Sequence, residues 1–290
     1  MRPGRRRLAA LAAALAAVAM PAAAASLLPE AGDPAAIVAA LESDGLDVGD
    51  LRLRLAAAKA GASEPFPDVR LEIRREARQV YRTAVAMLWT VVDVRDDVTG
   101  DGRPLAVLGS YSGGAHCCAT LDFVTLDDKP RRAATLALGH GDVPEAADLF
   151  TDADGDGRID LRLYDQTFAY WIVSFAESPF TPIVVHWRDG RFRLNPAAMR
   201  KPPMTEAALE AAAAVVRGDE RWTEGQPPPL LWETMLRSIF SGNAADAWAL
   251  LARAWPPETP GREAFARDFR AKLKTSPWWL DVAALNPAGL

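Results

Sequence analysis

The stretch Asp152–Asp165, with the sequence DADGDGRIDLRLYD, joins two different patterns. Its first nine residues hold four carboxylates, those of Asp152, Asp154, Asp156 and Asp160. Carboxylates this close repel one another, and an ordinary surface turn needs only one or two Asp or Gly residues. From Ile159 to Leu163 apolar and polar residues alternate, which is the periodicity of a β-strand. The stretch therefore predicts a loop that gathers a positive charge and leads directly into a strand.

The spacing of these carboxylates is that of a calcium-binding loop. With Asp152 as position 1, carboxylates stand at positions 1, 3, 5 and 9, and Gly157 at position 6 allows the sharp turn. Position 12, where an EF-hand has a bidentate Glu, is Leu163, and a strand follows instead of a helix. We predict a calcium loop that feeds a β-strand; the alternative is a solvated Asp/Gly turn. The predicted ligands are Asp152, Asp154, Asp156, the carbonyl oxygen of Arg158, and Asp160.

A similar loop opens the stretch DVTGDGRPLAVLGSY, residues 97–111. Its candidate ligands are Asp97, Thr99, Asp101 and the carbonyl oxygen of Arg103. Position 9 is Leu105 and position 3 offers a hydroxyl, so this loop has fewer charged ligands. We expect a weaker calcium site here, or a loop that serves only as a turn. The two loops lie 55 residues apart, which suggests an internal repeat.

The two units resemble FG-GAP/VCBS-type repeats, the calcium-loop-and-sheet modules of integrin propellers and many exported bacterial proteins. The resemblance covers roughly residues 89–195; the second loop matches the pattern, and the first departs from it at its last ligand. It implies that each repeat forms a propeller blade whose calcium ion fixes a loop between two strands. A closed propeller needs about four to eight blades, and this chain has sequence for two or three. We therefore expect a partial propeller or a compact sandwich.

The order of patterns divides the chain into four parts. Residues 1–25 have an arginine-rich start, an apolar run and a small-residue cleavage site, which predict a signal peptide. Residues 26–68 are expected to form a short helix, to about Glu42, and a loose linker. Residues 69–203 consist of short alternating runs bounded by Gly, Asp and Pro, and predict a mainly antiparallel β domain. Helical periodicity in residues 204–290 completes an α+β fold.

The C-terminal segment is predicted to be a packed helical unit because six of the nine tryptophans lie in it. One of its helices should begin after an N-cap at Thr205 and stop at Gly218. This Trp-rich segment, together with the SGGAHCC motif at residues 112–118, also resembles a group of uncharacterised exported bacterial proteins.

Composition excludes several classes of protein. The formal net charge of −5 gives no basic field for nucleic-acid binding, and no nucleic-acid-binding motif is present. No stretch beyond the predicted signal peptide approaches the roughly 20 apolar residues of a membrane-spanning helix. We therefore expect a periplasmic or secreted protein without a membrane span.

The only two cysteines, Cys117 and Cys118, are adjacent and follow His116. Exported proteins meet an oxidising environment, so a strained vicinal disulfide is one interpretation. Buried reduced thiols in a β core are a second, and a metal or redox site formed by His116 with one cysteine is a third. His140 and His186 stand alone in the sequence and are expected to be ordinary loop or strand residues.

No catalytic constellation is apparent in the sequence. The GSYSGG stretch, residues 109–114, does not fit the G-x-S-x-G pattern, and phosphate-binding glycine motifs are absent. We predict an exported, calcium-stabilised binding or interaction module without catalytic activity, whose partner is an unknown protein or glycan. The alternative is a small exported thiol-redox or metal-dependent enzyme that acts through His116, Cys117 and Cys118. A sugar-binding propeller is a third hypothesis, which would use Tyr170 and Trp171 as exposed aromatics.

Overall fold

The computed structural model describes residues 45–57, 68–114, 119–139, 144–224 and 226–290. Within these ranges the chain forms three antiparallel sheets of four strands each, followed by several helices towards the C-terminus. The predicted α+β class is confirmed, and the described residues form no closed barrel. The predicted signal peptide, the helix predicted to end at Glu42, and the residues His116, Cys117 and Cys118 lie outside the described ranges.

Each sheet is a meander in which strands consecutive in the chain are neighbours. Sheet A consists of β1 (Gly45–Val48), β2 (Leu51–Ala57), β3 (Val69–Arg75) and β4 (Arg78–Arg82). Sheet B consists of β5 (Leu88–Asp96), β6 (Pro104–Tyr111), β7 (Ala119–Thr125) and β8 (Arg132–Gly139). Sheet C consists of β9 (Phe150–Thr151), β10 (Asp160–Asp165), β11 (Thr181–Arg188) and β12 (Arg191–Leu194). Every pairing within the three sheets is antiparallel.

Seven α-helices and two short 3₁₀ turns occur in the described ranges. The helices are α1 (Ala146–Leu149), α2 (Pro196–Met199), α3 (Glu206–Arg217), α4 (Pro229–Phe240), α5 (Ala244–Ala254), α6 (Arg262–Leu273) and α7 (Trp279–Leu285). The 3₁₀ turns are Phe175–Glu177 and Glu220–Glu224. The predicted cap of α3 is confirmed, because the Thr205 hydroxyl accepts a hydrogen bond from the backbone N–H of Ala208 at 3.2 Å and Gly218 follows the last turn.

The position of sheet A corrects part of the prediction for residues 26–68. Strands β1 and β2 fall inside residues 26–68, where the sequence predicts a short helix and loose chain. In β2, Leu51, Leu53 and Leu55 are buried and alternate with arginines, which is the period of a half-buried strand. The short pattern was obscured by the residues around it, which are rich in Ala, Gly and Pro.

Sheet B is buried on both faces, and this fixes the order of the three sheets. One set of its side chains packs against sheet A: Trp89, Val91, Ala106, Leu108 and Val124. The opposite set belongs to the core that continues into sheet C: Leu105, Val107, Leu121, Phe123 and Leu136. The rings of Phe123 and Phe192 meet across this second interface with centroids 4.7 Å apart. The sheets therefore stack in chain order, A on B on C.

The helices pack against sheet C through an aromatic cluster. Trp171, in the connection between β10 and β11, lies edge-on to Trp232 of α4 at 5.7 Å and contacts the ring of Phe265 of α6 at 5.4 Å. At the end of β10 the buried carboxylate of Asp165 accepts a hydrogen bond from the Ser276 hydroxyl at 2.6 Å. Trp171 is thus a packing residue, which corrects its assignment as an exposed aromatic.

None of the helices in the described ranges has both the length and the apolar surface needed to cross a membrane.

Replacing Trp171 by Ala should lower the free energy of unfolding by about 3 kcal/mol, because the ring joins the β10–β11 connection to two helices. Ile172 is the matched control: it follows Trp171 and is 45% exposed. Ile172→Ala should change the unfolding free energy by no more than about 0.5 kcal/mol. Denaturant unfolding of both variants measures the difference. A Trp171→Ala protein as stable as the wild type would show that the ring is not part of the core.

Candidate metal centre

The second loop, residues 152–159, joins the first two strands of sheet C. Strand β9 pairs with β10 through Thr151 opposite Asp160 and Phe150 opposite Leu161, so the loop is the tip of a hairpin. In this loop Asp152, Asp154 and Asp156 bring one carboxylate oxygen each to within 4.8 Å of the others. Calcium binds oxygen at about 2.3–2.6 Å, so two oxygens on one ion lie at most about 5 Å apart. The three carboxylates therefore fit around a single cation.

Backbone hydrogen bonds hold the three carboxylates in this arrangement. Gly157 has a φ of 81°, which a residue with a side chain rarely adopts, and its N–H donates to Asp152 at 3.1 Å. The N–H of Arg158 donates to Asp156 at 2.9 Å, and the N–H of Asp156 donates to Asp154 at 3.2 Å. Each of the three side chains thus has one oxygen tied to the turn.

Asp160 occupies a different place from the other predicted ligands. It is 2% exposed, and both of its oxygens accept hydrogen bonds at 2.9 Å, one from the N–H of Ala153 and one from the side-chain amide of Asn195. The same amide nitrogen also donates to Asp154 at 2.9 Å. Asp160 therefore supports the loop from the core side, and it does not belong to the group formed by the other three carboxylates.

Asn195 is the residue of this site that the sequence analysis did not identify. Its side-chain oxygen accepts hydrogen bonds from Ala197 at 3.0 Å and Ala198 at 3.4 Å, which caps helix α2. Its nitrogen bridges Asp154 and Asp160, so the side chain is hydrogen-bonded at both ends. The sequence signal for the cap is Asn followed by Pro196 at the first helical position. The bridge itself depends on the fold, because 35 residues separate Asn195 from Asp160.

The environment of Asp154 favours its charged form. The hydrogen bond from Asn195 is the main reason that the pKa of Asp154 lies below its ordinary value of 3.8. The N–H of Asp156 and the nearby His186 act in the same direction, while partial burial opposes them. His186 lies on β11 directly opposite Asp160 and is half-buried. The loop thus favours the negative form of this carboxylate.

The first loop, residues 97–103, joins the first two strands of sheet B and repeats the same turn. The N–H of Gly102 donates to Asp97 at 2.6 Å, as Gly157 does to Asp152. The N–H of Arg103 donates to Asp101 at 3.2 Å, which is the counterpart of the bond from Arg158 to Asp156. In both loops, therefore, the N–H of the glycine at position 6 donates to the aspartate at position 1, and the N–H of the arginine at position 7 donates to the aspartate at position 5.

The two loops differ in what balances their charge. In the first, the Arg103 guanidinium donates to Asp101 at 2.9 Å, and this bond is the main reason that the pKa of Asp101 lies below its ordinary value. Thr99 also donates its hydroxyl to Asp101 at 2.9 Å. In the second loop, Arg158 forms no ion pair with any described residue. A guanidinium of the protein thus pairs with a carboxylate of the first loop, whereas no described Lys or Arg side chain forms an ion pair with the three carboxylates of the second.

His116, Cys117 and Cys118 lie outside the described ranges, in the connection from β6 to β7. The sugar-binding hypothesis named Tyr170 and Trp171. Tyr170 is 54% exposed, but Trp171 is packed against the helices.

Comparison with known proteins identified no matching family, no similar curated protein and no similar solved structure.

Replacing Asn195 by Ala should lower the free energy of unfolding by about 2–4 kcal/mol. The change removes a helix cap and leaves the buried carboxylate of Asp160 without one of its two donors. Asn195→Asp is the matched variant, because it keeps the capping oxygen but replaces the donor by a further carboxylate. It should also be less stable than the wild type at neutral pH. Thermal unfolding measures both, and wild-type stability of both variants would contradict the bridging role.

The lowered pKa of Asp154 should appear in a pH titration. Its folded-state pKa is depressed, so its stabilising contribution is present above 3.8 and is lost as the pH falls through the folded-state pKa. Carboxyl NMR signals of the calcium-free protein should show Asp154 titrating below 3.8, and those of Asn195→Ala should show it titrating at a higher pH. An unchanged midpoint in the variant would assign the shift to another cause.

Proposed function

We propose that this protein is an exported, non-catalytic binding or interaction module in which calcium fixes the second loop. The observation that carries the proposal is the group formed by Asp152, Asp154 and Asp156, whose oxygens are spaced for one cation. Oxygen-only ligands of this kind suit a hard cation such as calcium. Calcium sites in extracellular modules bind at about 0.1–1 mM, and this ion has a structural role.

The repeated turn supports an assignment to FG-GAP/VCBS-type repeats. Both acidic loops connect the first strand of a four-stranded sheet to the second, and both form the same backbone hydrogen bonds. In sheet A the corresponding connection is the two-residue turn formed by Gly49 and Asp50. We therefore infer that sheets B and C are two copies of one calcium-loop repeat, and that sheet A is a more diverged unit.

The stacking of the sheets supports a partial propeller as the architecture. Propeller blades are four-stranded antiparallel meanders, and successive blades pack face to face. Sheets A, B and C have this form and this order, and the helices pack where the next blade would stand. Export remains part of the proposal on the basis of the predicted signal peptide, and the module acts in the periplasm or outside the cell.

The test is thermal unfolding of the mature protein in millimolar calcium and in chelator. A ligand that binds only the folded state at about 100 times its dissociation constant adds about 2.7 kcal/mol of stability. We expect calcium to raise the melting temperature of the wild type and to have no such effect on Asp156→Asn. The Asn side chain keeps an oxygen for the N–H of Arg158, so the variant loses charge without losing the turn.

The first loop provides the matched control. Asp101→Asn makes the same change at the equivalent position, where Arg103 already balances the charge. This variant should keep the calcium response of the wild type. Absence of any calcium effect on the wild type, or equal loss of the effect in both variants, would overturn the assignment of the second loop as the calcium site.

A further inference from the structure

The face of sheet A that points away from sheet B carries a concentration of arginines. The strand register places five of them on this face: Arg52, Arg54, Arg70, Arg74 and Arg82. Two carboxylates, those of Asp47 and Glu72, share the face with them. We call these seven residues the arginine face. Among the described residues of the face, five arginines stand beside two carboxylates, while the whole chain has a formal net charge of −5.

The arginine face is not balanced by its own carboxylates. Arg52 stands directly opposite Arg74 in the β2–β3 pair, and like charges in this position are unfavourable. One oxygen of Glu72 serves two guanidinium groups, those of Arg54 at 3.5 Å and Arg74 at 3.3 Å. Nε of Arg54 is buried and has no hydrogen-bond partner among the described residues. Additional anions bound to the exposed parts of these side chains would relieve the repulsion between Arg52 and Arg74.

One contact already on this face shows how a carboxylate binds there. Asp47 reaches from the neighbouring strand β1, and both of its oxygens accept from the same nitrogen of Arg52, at 2.8 and 2.9 Å. Arg52 and Arg54 are two residues apart on one strand, a spacing of about 6.6–6.8 Å. An extended peptide with acidic residues at every second position presents its carboxylates at the same interval. Guanidinium groups bind carboxylates in planar, charge-assisted pairs.

We propose that the arginine face binds an extended acidic segment of a partner protein, with Asp or Glu at alternate positions. This inference rests on the proposed role as a binding module and names the partner, but it does not depend on calcium. An anionic bilayer fits less well, because a broad surface would also meet the acidic remainder of the protein. Single-stranded nucleic acid fits less well because the described residues of this face include no aromatic side chain on which bases could stack.

The probe is a fluorescently labelled peptide that alternates Glu and Thr, titrated with the mature protein in chelator at low ionic strength. Fluorescence anisotropy should report binding that weakens as salt is added, because exposed charges are screened. The variant Arg52→Glu with Arg74→Glu should weaken binding by about tenfold or more. If that variant does not fold, Arg52→Gln with Arg74→Gln removes the same two charges and should weaken binding in the same direction.

The matched control changes the net charge equally at a distance from the arginine face. Arg188→Glu with Arg267→Glu alters two side chains that are 66% and 72% exposed, and it should leave the affinity for the peptide close to the wild-type value. Equal weakening in the control, or no binding by the wild type, would overturn the proposal. The proposal would also be overturned if the wild type bound anionic vesicles or DNA more tightly than the peptide and the Arg52 and Arg74 variant lost that binding. The partner would then be the membrane or the nucleic acid.

The chelator separates this test from the calcium test. Failure of peptide binding leaves a calcium-dependent melting temperature unaffected, and failure of the calcium response leaves peptide binding by the arginine face unaffected.

Discussion

The two-sided burial of sheet B is the constraint on which the rest of the architecture depends. An antiparallel meander with one apolar face needs one covering layer, but strands such as β6 place apolar side chains on both faces. Sheet B must therefore lie between two other layers. Sheet A covers one face with its alternating leucines, and sheet C closes the other with Phe192 and its neighbours. Among the described sheets, sheet A is left at the end of the stack, and its outer face is rich in charge.

Sheet C links this stack to the helical segment and to the acidic loop. Asp165 at one end of β10 is bound to Ser276, beyond α6, and Asp160 at the other end is bound to Asn195, which caps α2. Both carboxylates are buried, and burial of a charge is unfavourable unless hydrogen bonds compensate it. The loop is therefore built on a strand whose two ends are held by polar contacts across the fold.

The sequence predicted features that local periodicity determines and missed those that depend on distant packing. The strands from Val69 onward and the helix after Thr205 follow from alternation and capping signals. Strands β1 and β2 were missed because a short pattern lies within an Ala-, Gly- and Pro-rich segment. The loop spacing predicted that four carboxylates lie together; three of them form a group, but the spacing could not show that the fourth, Asp160, is hydrogen-bonded to Asn195. Likewise, Trp171 lies in a connection rich in aromatic residues, and only the folded structure shows that its ring packs against two helices.

The Arg103 contact has a consequence for how each loop depends on its surroundings. The guanidinium of Arg103 is attached to the chain only two residues from Asp101, so its effective concentration at this carboxylate is high. Forming the ion pair therefore costs no translational entropy. The positive charge that faces Asp101 is therefore covalently part of the chain and does not have to be bound from solution. Among the described residues, no Lys or Arg side chain forms such a pair with Asp152, Asp154 or Asp156. Of two loops with the same backbone turn, the first carries its own counter-charge, and under the proposed assignment the second takes its counter-charge from a bound calcium ion.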